Sequence, residues 1–166
     1  MDWPHIHIAI NHFPIILALV GTLSAILGLV FGRRGLWLYG TASITLAALT
    51  AVPTYFTGGP AEHALNRPWW MARGAIHAHE SSALISTILL AVAGIAAAVA
   101  WRRIVRYPRE LVLPGWLRAA VLLTAIAASA SIAYTSLLGG AIVHDAPVLQ
   151  GPAPAGVAAP AATPTR

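Results

Sequence analysis

Four stretches of this chain, residues 13–31, 36–55, 83–101 and 119–138, contain no Asp, Glu, Lys, Arg or His. Nothing else in the sequence restricts the fold as strongly. Crossing about 30 Å of hydrocarbon takes about 20 residues as helix. In lipid, each backbone N–H and C=O must also be bonded within its own helix or within a closed barrel. Barrel strands would alternate apolar and polar residues, whereas these runs are continuously apolar. The sequence therefore predicts an all-α polytopic membrane protein, its four spans forming an up-down-up-down transmembrane bundle. Composition agrees, with 58% of 166 residues apolar and 9% charged, where a water-soluble domain carries about a quarter charged residues.

The formal charge of +5 follows topology and leaves no nucleic-acid footprint. Arg33 and Arg34 join the first two runs, Arg102, Arg103, Arg106 and Arg109 join the last two, and Arg118 opens the fourth. Only Arg67 and Arg73 lie in the long middle connection, near Glu62 and Glu80. Short arginine-rich connections stay cytoplasmic. This places both termini on the periplasmic side of a bacterial inner membrane, with residues 149–166 as a Pro/Ala-rich external tail. Residues 1–11 lack a basic segment, and no small-residue cleavage site follows the first run, so the start does not read as a removable signal. All six tryptophans fall at expected interfaces: Trp3, Trp69 and Trp70 outside, Trp37, Trp101 and Trp116 inside. With no cysteine, disulfides, thiolate metal sites and covalent haem attachment are excluded.

Within the runs, small residues recur at four-residue spacing: Gly21 and Ala25, Gly28 and Gly32, Ala127 and Ser131. Such rows let helix backbones approach closely in lipid. Pro14 fits two arrangements, a first helical turn capped by Asn11 or an interruption of a longer helix beginning near Trp3. The 57–74 connection is expected to be a long outer loop, with at most a short helical turn at 60–65. No repeat between the two halves of the chain is visible.

All seven histidines fall at one end of this bundle: His5, His7 and His12 before the first span, His63, His77 and His79 before the third, His144 after the fourth. The trio His12, His79 and His144 is expected to meet on one face, with Glu62 and His63 crossing above it. Imidazole with carboxylate suits zinc, copper, iron or nickel. A metal ion would draw on His12, His63, His79, Glu80 and His144. A b-type haem needs two imidazoles from facing helices, and His12 with His79 has that spacing. The ordinary alternatives are specific. A lone histidine at a membrane interface is commonly solvated, as His5 and His7 are read here. Asn11, Glu80 and Ser81 could serve only as caps, and Gly139–Gly140 only as a helix stop.

Several motifs occur together in order: Asn11-His12-Phe13-Pro14, Thr57-Gly58-Gly59-Pro60-Ala61-Glu62, His79-Glu80, and Leu138-Gly139-Gly140-Ala141-Ile142-Val143-His144. With them the chain resembles, from about Trp3 to Val148, a family of small four-helix bacterial membrane proteins known only as a domain of unknown function. A related branch opens His-Pro-x-x-Val-His-Phe-Pro, and its histidine spacing matches His7 and His12. Here Ile8 replaces the proline after the first histidine, and His144 replaces that branch's exit tyrosine. The resemblance implies a fold and a motif set, and no activity.

Three functions remain open at this point. The first is a redox-linked subunit binding one b-type haem or one metal ion at its outer face and exchanging electrons with a periplasmic partner or quinol. The second is a non-catalytic accessory subunit of a larger respiratory or photosynthetic membrane complex. The third is external copper or zinc capture through His63, His79 and His144. None makes the chain an enzyme by itself. No histidine lies at the inner end, so the chain alone has no second haem position for carrying electrons across the membrane. Spans without acids or bases also lack the usual proton or ion path.

Overall fold

The computed structural model describes residues 2–64, 73–107 and 113–144. They form four long apolar helices, α1 (Trp3–Phe31), α2 (Arg34–Ala64), α3 (Arg73–Arg106) and α4 (Gly115–His144), with no strand among the described residues. All four are long and apolar enough to cross a membrane. The protein is an all-α membrane bundle, as its apolar runs predict. Arg67, Trp69, Trp70, Arg109 and the 149–166 tail lie outside the described residues.

The helices extend past their apolar runs, chiefly at the histidine end. The α1 helix begins at Trp3, where Asp2 is the N-cap and its carboxylate accepts from the His5 backbone N–H at 3.2 Å. Asn11 is therefore a mid-helix residue, and Pro14 is buried inside α1. A helical proline leaves the carbonyl four residues earlier without its donor. That carbonyl belongs to Ile10, and the Thr54 hydroxyl of α2 reaches it at 3.4 Å. The expected 57–74 loop is mostly helix: α2 runs through Pro53 and Pro60 to Ala64, and α3 starts at Arg73. Glu80 and Ser81 accordingly lie within α3, and Gly139–Gly140 does not stop α4, which continues to His144. At the other end Gly32 ends α1 with φ 61°, a left-handed conformation that glycine adopts without Cβ strain.

Each helix packs on the next, and α4 returns to α1. Close approaches join α2 to α3, where a Cβ at Gly94 would meet that of Ala48, and α1 to α2. A Cβ at Gly40 would lie 2.8 Å from the Gly21 carbonyl oxygen and the Ala25 nitrogen, and one at Gly21 would lie 2.9 Å from Ile44. The Gly21–Ala25 row thus forms the contact its spacing predicts. Gly28 abuts Trp37, whereas Gly32 has open space around it and Ala127 is exposed. Trp37 is consequently buried between α1 and α2, at 4% exposure, and does not lie at the lipid interface. Trp3, Trp101 and Trp116 are exposed near helix ends. Leu23, Val30, Phe56, Ile95, Leu123 and Leu137 cover the outer surface, the arrangement a helix bundle needs to face lipid.

Candidate functional site

The buried face of α1 follows a four-three spacing through Pro14, Ala18, Gly21, Ala25 and Gly28. Continued toward the N-terminus, that spacing reaches Asn11 and His7. Both are half-buried, whereas His12 is exposed. The His12 ring turns back on its own helix, its Nδ1–H donating to the Ile8 carbonyl at 2.8 Å. The His7 ring faces α2, with Nδ1 2.9 Å from Thr57 Oγ1. Thr57 already donates its single hydroxyl proton to the Thr54 carbonyl at 2.9 Å. It can therefore only accept from His7, which places the His7 proton on Nδ1, and the Thr54 backbone is a further hydrogen-bond partner of this ring.

His79 has the equivalent arrangement in the second hairpin. It lies on the half-buried side of α3, two turns from the helix start. Its Nδ1 sits 3.1 Å from the Thr135 carbonyl of α4. A carbonyl only accepts, so this ring is also protonated on Nδ1. Each ring also rests on a glycine of the helix that holds it. A Cβ at Gly58 would meet His7 Cε1 at 3.6 Å, and one at Gly139 would meet His79 Cε1 at 2.9 Å. The two hairpins thus repeat one device, an imidazole seated between an acceptor and a glycine, although no sequence repeat shows it.

Hydroxyls continue the polar interior beside His79. Ser82 Oγ lies 2.6 Å and Ser86 Oγ 2.8 Å from Thr135 Oγ1, and Ser86 also bonds Ser131 at 2.8 Å. Deeper in the bundle, Thr22 and Ser129 bond at 2.9 Å. Such pairs link helices where lipid supplies no hydrophobic drive. One polar group stands apart. Asn11 Oδ1, one turn below His7, is buried with no hydrogen-bond partner among the described residues. A guest or water with a donor would satisfy it.

No family model, curated protein or solved structure matches the chain. The motif resemblance therefore rests on the quoted residues, of which Thr57, Gly58, His79 and Gly139 meet at these two imidazoles.

The remaining expected site residues are spread over the same end. His63 is exposed at the end of α2, its Nδ1–H donating to the Gly59 carbonyl at 2.7 Å. Glu80 is exposed on α3. His144 closes α4, and its side chain lies outside the described residues. Among the described residues no three His, Cys, Asp or Glu side chains come together in a way that could hold a metal ion. Of the expected ligands His79 is half-buried against α4, and at the same end His7 is half-buried against α2. The missed signal was the four-three spacing of α1 carried back beyond Pro14.

Proposed function

We propose that this protein is a redox-linked membrane subunit that holds one b-type haem at its histidine end, between His7 and His79. One observation carries the reading: two half-buried imidazoles on different helices of the histidine end, each with its Nδ1 held by a neighbouring helix. Ligating histidines are oriented in this way, by an acceptor on the far nitrogen that fixes tautomer and ring angle. A copper, zinc or iron ion held by protein alone needs about four donors. Haem carries most of its iron's ligands itself and would ask the protein only for His7 and His79. The haem would bring one-electron chemistry; the chain's residues would orient the imidazoles and keep lipid-facing surface around them. With no histidine at the arginine end, electrons would enter and leave at the same end, through a periplasmic protein or a quinol. The arginine distribution supports a bacterial inner membrane with the histidine end periplasmic.

An accessory, ligand-free role in a larger complex has support of its own, since Ser82, Ser86, Ser131 and Thr135 already satisfy one another. One preparation separates the two. Purified in mild detergent and reduced with dithionite, the protein is expected to show an α-band and about one haem per chain. A colourless protein that takes up no added haem and co-purifies with a stoichiometric partner would overturn the haem reading. Alkaline phosphatase fused after Val148 should be active, and fused after Arg103 inactive; the reverse pattern would place the site in the cytoplasm.

A further inference from the structure

The outer face of α3 carries an amphiphilic stripe that ends among the arginines. Ile88, Val92, Ile95 and Val99 are between 48% and 68% exposed, and Arg102 and Arg106 follow them, exposed as well. Their alternating four-three spacing keeps all of these side chains on one face of a helix. From Ile88 to Val99 the apolar part is about 16 Å long at 1.5 Å per residue. That is about half of a hydrocarbon core about 30 Å thick. The stripe therefore spans one leaflet, with its guanidiniums at headgroup level.

The charge at its end is not balanced by the described chain. Arg102 and Arg106 are four residues apart on a helix, where like charges repel. Arg103 lies between them in the chain, its guanidinium over the Tyr107 ring at 5.7 Å. The C-terminus of α3 offers these cations only about half a negative charge. The acids among the described residues, Asp2, Glu62 and Glu80, all belong to the histidine end. Arg34 serves a different purpose, bonding the carbonyl of buried Ile104 on the other side of α3. Cytoplasmic orientation asks only for positive charge somewhere at this end. It does not require two guanidiniums in line with an exposed, leaflet-long apolar stripe.

We propose that this face of α3 binds an anionic phospholipid of the leaflet at the arginine end. The phosphodiester lies between Arg102 and Arg106, whose planar forks pair with phosphate oxygens. One acyl chain runs along Val99, Ile95, Val92 and Ile88. Basic groups at the ends of membrane helices recognise anionic headgroups in this way. A soluble phosphate could meet the same guanidiniums but would leave the stripe unused, so the occupant is a lipid. The proposal is independent of the haem reading.

Native mass spectrometry of the full chain in mild detergent tests it, with phosphatidylglycerol, phosphatidylcholine of the same acyl chains, and pyrophosphate as probes. Wild type should hold about one phosphatidylglycerol, at least about fivefold more tightly than phosphatidylcholine, and pyrophosphate should not displace it. Arg102→Gln and Arg106→Gln should each weaken that binding about fivefold. Both side chains are exposed, so these variants should stay monodisperse. Arg106→Lys keeps the charge without the fork and should show part of the loss. Arg73→Gln removes the same charge at the opposite end of α3 and should leave binding unchanged. Equal affinity for the two lipids would overturn the proposal, as would equal losses in Arg73→Gln and Arg106→Gln. Pyrophosphate bound in place of lipid would overturn it too, by assigning the arginines to a soluble anion.

Discussion

At the arginine end the bundle interior is filled by Trp37, Ala97, Ala100, Ile104, Leu113, Leu117 and Val121. At the histidine end the same four helices present His7, Thr57, His79, Ser82, Ser86 and Thr135 to one another. Arg34 reaches inward at the arginine end, and its guanidinium donates to the Ile104 carbonyl at 2.8 Å, tying the start of α2 to the last turn of α3. Polar groups in a membrane interior are expensive and are kept where they bond or act. The arginine half therefore holds the helices by close packing, and the histidine half spends part of that packing on oriented polar groups. The first should govern whether the bundle assembles, and the second what it binds.

Gly40→Leu should be the most damaging single change. Its side chain would drive into the Gly21 carbonyl and Ala25 nitrogen, both 2.8 Å from an added Cβ. Overpacking of this kind costs about 3 kcal/mol, read as aggregation in size-exclusion chromatography or as a large loss in steric-trap unfolding. A soluble, monodisperse Gly40→Leu protein would show that the α1–α2 contact does not hold the bundle. Gly139→Ala tests the opposite end. The added methyl pushes on the His79 ring, and haem affinity should fall by about 10–100-fold, while unfolding stability changes much less. If stability fell as far as in Gly40→Leu, the division of labour between the two ends would be lost.

Thr135→Val removes the hydroxyl shared by Ser82 and Ser86 and leaves the carbonyl that holds His79. Interhelical hydrogen bonds in membranes are worth about 0.6 kcal/mol on average, so unfolding should weaken by about 1 kcal/mol with the haem spectrum unchanged. The smallest effect is expected at Asp2. Side-chain and backbone donation from His5 holds this exposed carboxyl below its ordinary value of 3.8. The cap is thus complete above pH 3.8 and is lost as pH falls through the lower folded value. Hydrogen exchange in the first turn of α1 should rise only in that acid range, and Asp2→Ala should abolish the pH dependence. An unchanged acid response in Asp2→Ala would assign it to another group.

The sequence made the span count and the pairing of neighbours legible, because uncharged runs of membrane length have few alternative folds. It made the proposed site only half legible. His79 stood out beside Glu80, but His7 was read as a solvated residue. The start of α1 could lie at Trp3 or Asn11, and only the earlier start extends the spacing of Pro14, Ala18 and Gly21 back to Asn11 and His7. Asn11-His12-Phe13-Pro14 resembled a cap followed by a first-turn proline, whereas Asp2 supplies the cap. Gly139 read as a stop because helix-ending glycine is a water-side habit; within α4 it makes room for a ring. Thr135, Ser82 and Ser86 gave no signal, being small polar residues in runs valued for their lack of charge.

The choice of His7 over His12 is the central claim, and the spin state of the haem-loaded protein tests it most directly. Absorption and electron paramagnetic resonance spectra of wild type, His12→Ala and His7→Ala should be compared at equal haem loading. A low-spin bis-imidazole signal is expected in wild type and His12→Ala, and a high-spin signal in His7→Ala. A low-spin signal that survives in His7→Ala and disappears in His12→Ala would contradict the account.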